Sequence, residues 1–249
     1  MIQVVLSAYN EASSLKDLLP DLIESLSRER QNYFIYVVDD GSSDGTANVV
    51  KKYAKKNRRV KLIKHPKNKG LAEAIDSGFK KALKNSHKND ILITMDADNT
   101  HLPGLIMRMV RLIHEGHDIV ISSRFATGSR VRGVPFNRRL LSRVGNLMFR
   151  ILLPIQGVKD YTSGYRAYRV GLIQQAVDYY DNEFLSEKGF SCMVDILLKL
   201  RRFDPLYGEV PMILRYDQKV GKSKMNVAST IKETLLLIGR YKTNVIKKS

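Results

Sequence analysis

Apolar residues recur along this chain in two rhythms. Ile2–Ala8 is a short apolar run of strand character, after which Leu15, Leu18, Leu19, Leu22, Ile23 and Leu26 repeat at helical spacing. Phe34–Val38, Val60–Ile63, Ile91–Met95 and Ile119–Ser122 are further strand-like runs with helical patterns between them, one reaching about Lys56. Such alternation predicts an α/β fold, a mainly parallel sheet flanked by helices on both faces. Ligands in sheets of this kind bind beyond the carboxyl ends of the strands, so chemistry is expected just after these runs. Past residue 123 the alternation weakens. A loop rich in Arg and Gly leads to a helical segment, Asn137–Leu153, then a loop, two more helical patterns and a strand at Tyr207–Leu214. No linker or internal repeat interrupts the chain, so residues 1–123 and 124–249 are read as two halves of one domain.

Composition narrows the classes. At 249 residues, 43% hydrophobic and 27% charged, the chain is long enough to bury a full core and is not disordered. Its lone cysteine, Cys192, excludes an intramolecular disulfide framework and a Cys-rich zinc site, and reads as a packing residue in a reducing compartment. The net charge of +17 admits three anionic partners: nucleic acid, a membrane surface, or phosphorylated small molecules. The opening strand pattern leaves no signal peptide, and the best spanning candidate, 140–158, is interrupted by Arg143 and Arg150. The expectation is a cytoplasmic chain that lies on a membrane without crossing it.

The acids decide among those partners. Val37–Thr46 reads VVDDGSSDGT, a strand ending in two carboxylates and a tight turn. Paired acids there can accept hydrogen bonds from base N–H groups and ribose hydroxyls; the alternative is a turn with an Asp or Ser helix cap. Met95–Asp98 reads MDAD, again directly after a strand. Two carboxylates spaced i, i+2 offer hard oxygen ligands to Mg²⁺ or Mn²⁺, which keep positions open for phosphates. A nucleic-acid module would instead interleave aromatic and basic residues on one surface, and would not cluster acids at strand ends.

SAYNE (Ser7–Glu11), VVDDGSSDGT, NKG (Asn68–Gly70) and MDAD, in that order, resemble the inverting glycosyltransferases of family two, whose nucleotide-binding fold is the Rossmann-like GT-A. The resemblance implies that residues 1–123 bind the nucleotide-diphosphate sugar, with Tyr9, Glu11, Val38 and Asp40 at the nucleotide, Ser7 and Ala97 beside them, and Asp96 and Asp98 at the metal–diphosphate. Family members often have Pro where this chain has Ser7.

The second half carries Ser123-Arg124-Phe125, Arg138–Arg143 (RRLLSR), Asp160–Arg169 (DYTSGYRAYR), Glu187–Phe190 (EKGF), Gly208–Pro211 (GEVP) and Gly221–Lys224 (GKSK). This order resembles the dolichol-phosphate mannose synthases and related polyprenyl-phosphate hexose synthases. It implies GDP-mannose as favoured donor, UDP-glucose second, and a polyprenyl phosphate acceptor bound by residues 124–249. Asp98, Arg124 and Arg138 are the expected catalytic residues. Arg124 and Lys224 also serve the donor, and Arg124, Arg138, Ser142, Gln218 and Lys224 the acceptor. In the D-R-x-x-G-x-S-K pattern of these synthases Gln218 stands in place of Arg, so Lys219 or Arg215 must supply its charge or the phosphate is held differently. A lipid phosphate is largely dianionic at neutral pH, with a second pKa near ~6, and needs no general base. It needs cations instead, because like charges ~4 Å apart repel by roughly 4 kcal/mol at an effective dielectric of about 20. A saccharide acceptor would need a base, for which Asp160, Glu183 and Glu187 are the candidates. Arg139–Leu153 and the C-terminal stretch from Ile231 are amphipathic, read either as interfacial helices meeting an anionic membrane or a membrane-embedded partner, or as helices packed on the domain.

Overall fold

The computed structural model describes residues 1–29, 31–187, 189, 191–218 and 227–246. Its strands are β1 (Ile2–Ala8), β2 (Tyr33–Asp39), β3 (Val60–Lys64), β4 (Ile91–Asp96), β5 (Ile119–Ser123), β6 (Arg130–Arg132), β7 (Arg166–Arg169), β8 (Tyr207–Pro211) and β9 (Ile213–Arg215). Its helices are α1 (Ala12–Arg28), α2 (Thr46–Lys56), α3 (Leu71–Leu83), α4 (Ile106–His114), α5 (Phe136–Leu152), α6 (Val170–Tyr180), α7 (Ser191–Leu200) and α8 (Val227–Ile246). Seven strands form one sheet in the order β3-β2-β1-β4-β7-β5-β8, and β6 pairs with β9 in a small second sheet. All pairs in the large sheet are parallel except those of β7, which runs antiparallel between β4 and β5.

The pleat sorts the strand residues between two cores. Val4, Leu6, Ile35, Val37, Ile93 and Met95 face α1, α2 and α4, while Val5, Tyr36, Val38 and Leu92 face α3 and the helices of the second half. Each set is buried, which is why the strands read as continuous apolar runs. Register then does the positioning. Ser7 lies opposite Val38 on one side and Asp96 on the other, so three separate motifs end level at the carboxyl edge. Asn10 and Asn99 take left-handed backbone conformations just past the ends of β1 and β4, turning the chain out of the sheet.

Two features depart from the sequence pattern. The expected strand at Tyr207–Leu214 is two strands in two sheets. Pro211 lacks an N–H for the ladder, and the chain crosses there, Met212 donating to Ser123 O and its carbonyl accepting from Arg130 N. The other is β7, inside the DYTSGYRAYR motif, where a charged Arg166 hides strand character. That side chain is fully buried and donates to the carbonyls of Met193 and Tyr161. Cys192 is a buried packing residue, its thiol pushed up to about 12 by burial.

Candidate active site

A cavity of about 680 Å³ opens at the carboxyl ends of β1, β4 and β5 and continues between α5, α7 and α8. Ser7, Asp96, Asp98, Arg124, Arg138 and Ser142 all line it, so the structure brings six of the expected site residues together. Its walls include Phe125, Leu141, Val144, Met148, Met193 and Leu235.

The two acids are held differently. Asp98 Oδ1 accepts from the Thr100 hydroxyl at 2.7 Å and from Thr100 N–H at 3.2 Å, a short turn that fixes its rotamer. His101 buttresses Asp96. Its Nδ1 accepts the Asp96 N–H at 3.3 Å, its Nε2 lies 3.9 Å from Asp96 Oδ2, and its ring stacks on Tyr165 with centroids 5.0 Å apart. Gly164 passes close enough to Asp96 that an added Cβ would touch Oδ1 at 3.4 Å. Among the described residues no group of three or more His, Cys, Asp or Glu could hold an ion. Two carboxylates on an open cavity fit Mg²⁺ or Mn²⁺ of the kind completed by substrate phosphates and water, and do not fit a closed all-protein site.

Arg124 is fixed on nearly every donor. Its Nε and Nη2 meet Asp160 Oδ2 and Oδ1 at 2.8 and 2.7 Å, its backbone N–H donates to Oδ2 at 2.9 Å, Nη1 reaches Ser142 Oγ at 3.1 Å, and Nη2 also bonds Thr162. Burial opposes the Arg124 charge, but Asp160 and the nearby Asp96 outweigh it and raise the guanidinium pKa. Burial likewise opposes the Asp160 carboxylate, and Arg124 outweighs it, holding the group below the usual carboxylate range. Glu209 of β8, from the GEVP motif, accepts the N–H groups of Lys159 and Asp160 at 2.6 and 2.9 Å and so anchors the Asp160 turn, while burial pushes its own carboxyl up. Arg138, on the first turn of α5, donates to the Tyr216 hydroxyl, its guanidinium 5.8 Å from that ring's centre.

The other expected donor residues lie beside the cavity, not in its wall. Tyr9 is exposed, Val38 and Ala97 are buried, and Glu11 accepts from Ser14 Oγ at 2.9 Å. Asp40 is a buried clasp: it meets His65 Nδ1 at 2.7 Å and accepts the N–H groups of Lys69 and Gly70 at 2.9 and 2.8 Å. That clasp ties the NKG loop to the end of β2. It also explains Gly41, whose added Cβ would lie 2.3 Å from the Lys67 carbonyl carbon. Gln218 ends a short 3₁₀ turn, exposed and off the cavity wall, and Arg215 pairs with Asp217 at 2.9 Å. Lys219 and Lys224 lie outside the described residues.

Of the candidate bases, Asp160 is consumed by Arg124, Glu187 pairs with Arg240, and neither these nor Glu183 lines the cavity. The sequence reading missed Thr100, His101, Thr162 and Tyr216. Thr100 and Thr162 carried the same local signal, each two residues after an Asp at a turn.

The family model described as "Glycosyl transferase family 2" matches residues 3–176. The chain is 35% identical over 199 residues to the dolichol-phosphate mannosyltransferase of Pyrococcus furiosus, covering 80% of this chain and 52% of that protein; the chain thus spans about half the length of that relative. It is 30% identical over 239 residues to the polyprenol monophosphomannose synthase of Mycolicibacterium smegmatis, covering 96% of this chain and 85% of that one. A further 30% match covers 90% of this chain and 87% of the undecaprenyl-phosphate mannosyltransferase of Micrococcus luteus. Glucosyl-3-phosphoglycerate synthase of Mycobacterium tuberculosis, crystallised with Mg²⁺ and UDP, superposes with a TM-score of 0.62 at 20% identity over 96% of this chain and 79% of that chain, which establishes the shared GT-A fold. With its motif residues level at the sheet edge and its family model matched across most of its length, the chain belongs to glycosyl transferase family 2.

Proposed function

We propose that this protein transfers a hexose, mannose in the favoured case, from a nucleotide-diphosphate sugar to a polyprenyl phosphate, with inversion. GDP-mannose is the favoured donor and UDP-glucose the second; the three relatives named above are mannosyltransferases or a phosphomannose synthase. One observation carries the reading: a single cavity joins two carboxylates and the arginines 124 and 138 to a long apolar wall. An acceptor that fills both ends has a phosphate head and a hydrocarbon body.

Asp96 and Asp98 would hold Mg²⁺ or Mn²⁺, which neutralises charge on the departing diphosphate when bound. Arg124 and Arg138 receive the acceptor phosphate and offset its repulsion from the donor. A phosphate oxygen then bonds to the anomeric carbon as the carbon–oxygen bond to the nucleoside diphosphate breaks. No proton needs to move, which accords with Asp96 and Asp98 being the cavity's only carboxylates among the described residues. Ser7, Tyr9, Glu11, Val38, Asp40 and Ala97 form the nucleotide end of this reading, and residues 124–249 the acceptor half.

Arg138→Ala is the discriminating test. Losing one charge-assisted contact should cost about 1.5–3 kcal/mol, one to two decades in rate, with polyprenyl phosphate as acceptor. Calorimetric binding of the nucleotide sugar should change little. A normal transfer rate to the lipid acceptor in this variant would remove the acceptor model.

The same reading places the enzyme peripherally at the cytoplasmic face of a membrane. No helix among the described residues is long and apolar enough to cross one. Helix α5 instead exposes Phe136, Leu140, Val144, Leu147 and Ile151, spaced along one face, with Phe136 77% and Ile151 67% exposed. Arg143 and Arg150 are exposed on the same helix, and Leu235 and Leu236 are exposed on α8. A bilayer with anionic headgroups suits that mixture. Leu140→Glu with Leu147→Glu should weaken binding to anionic vesicles by at least about tenfold; undiminished co-sedimentation would assign α5 to another role.

A further inference from the structure

The charge of this protein is not spread evenly. Between residues 51 and 69 there are ten Lys or Arg residues and no Asp or Glu, against a net of +17 for the whole chain. All ten side chains are exposed. Among the described residues none of them makes an ion pair. They cover the outer side of α2, the turn at Arg58 and Arg59, and β3 itself through Lys61 and Lys64.

That strand is the outermost of the large sheet, paired only with β2. Its free side therefore presents a row of backbone donors and acceptors. Lysines on an edge strand discourage pairing with most chains, and a second copy of this edge would bring ten more cations. They favour one kind of strand, an acidic one. We propose that the β3 edge is a docking site for an extended acidic polypeptide segment, which adds as a further strand and sets its carboxylates against the surrounding lysines.

Two other anions fit less well. α2 and β3 each run about 16 Å from the carboxyl edge to the opposite end of the sheet. A bilayer meeting α5 and the cavity mouth touches the carboxyl edge, leaving the Arg58–Arg59 turn further away than the Debye length of about 8 Å. Single-stranded nucleic acid calls for aromatic platforms. Here the nearby aromatics are Tyr33, buried under Arg59 at 4.8 Å, Tyr36, buried opposite Lys61, and Phe34 and Tyr53, both half-buried. Neither alternative uses the unpaired backbone of β3. The proposal is independent of the transfer reaction.

The test uses the whole chain and a fluorescent peptide of about eight residues alternating Glu and Val. Its probes are that peptide, the same peptide N-methylated at alternate residues, and vesicles containing phosphatidylserine. Anisotropy should show saturable binding of the unmodified peptide at about 50 mM salt that weakens at about 300 mM. The Lys61→Glu, Lys64→Glu variant should lose at least about tenfold in affinity while its thermal midpoint and donor binding stay unchanged. N-methylation, which removes main-chain donors but no charge, should weaken binding comparably. Equal binding of the N-methylated peptide would reduce the edge to a general polyanion surface and overturn the proposal. It would equally be overturned if the acidic peptide failed to bind, or if only the vesicles bound through Lys61 and Lys64.

Discussion

Transfer by the Asp98→Ala protein is expected to fall by at least about a thousandfold, the size of several kcal/mol of lost charge stabilisation at a leaving diphosphate. Asp96 and Asp98 are the only carboxylates on the cavity wall among the described residues, so no neighbour can take over. The loss should not come from unfolding, because Asp98 is only partly buried and its hydrogen bonds with Thr100 are local. Asp98→Asn separates shape from charge. It can keep an acceptor for Thr100 but supplies no anion to the metal, and should fall nearly as far. Rates measured against added Mg²⁺ or Mn²⁺, and in EDTA, decide the matter. Full activity of either variant, or of the native chain in chelator, would sink the metal-dependent reading.

Asp160→Ala should produce the largest loss of stability. It leaves the part-buried Arg124 without its carboxylate; breaking a buried pair typically costs about 3–5 kcal/mol, and the 22% exposure of the Arg124 side chain puts this one toward the lower end. The midpoint of thermal unfolding should drop by roughly 10 °C for a chain of this size. The pH dependence adds a second readout. Asp160 titrates lower in the folded protein than in the unfolded chain, so its stabilisation is present in full above the unfolded value of about 3.9 and fades as pH falls through the folded one. Native protein should therefore lose this contribution only below about pH 4. Asp160→Asn should have lost it already at neutral pH and show a flatter acid limb. An Asp160→Ala midpoint equal to the native one across pH 3 to 7 would mean that the pair contributes nothing net.

How legible the molecule was differs between its halves. In residues 1–123 the strands, the helical stripes and the acids after β2 and β4 could be read directly, because parallel strands buried on both faces make continuous apolar runs and turn chemistry is local. The second half mixed signals. Arg166 sits inside a buried strand and was read only as part of a motif, since its satisfaction depends on carbonyls of Tyr161 and Met193 that no local pattern reveals. Helix α5 was placed to within a residue at each end. Which of its residues face water was not legible: the packed Asn146 and Phe149 and the exposed Phe136 and Leu140 follow from neighbours on other elements.

The candidate site divides the same way. The residue types and their order determined the α/β class, the strand-end acids and the kinship with a glycosyltransferase family, because these depend on periodicity and short motifs. Only the tertiary structure decided what those residues do to one another. Asp160, a candidate base by composition, became the clamp on Arg124. Asp40, expected at the nucleotide, also clasps the NKG loop through His65 and the N–H groups of Lys69 and Gly70. Ten cations that in the sequence only add to a net +17 lie around β3, an edge strand paired on one side. In each case the reason is physical: a carboxylate's or a lysine's role is set by the partners within a few ångströms, and those partners come from parts of the chain far away in sequence.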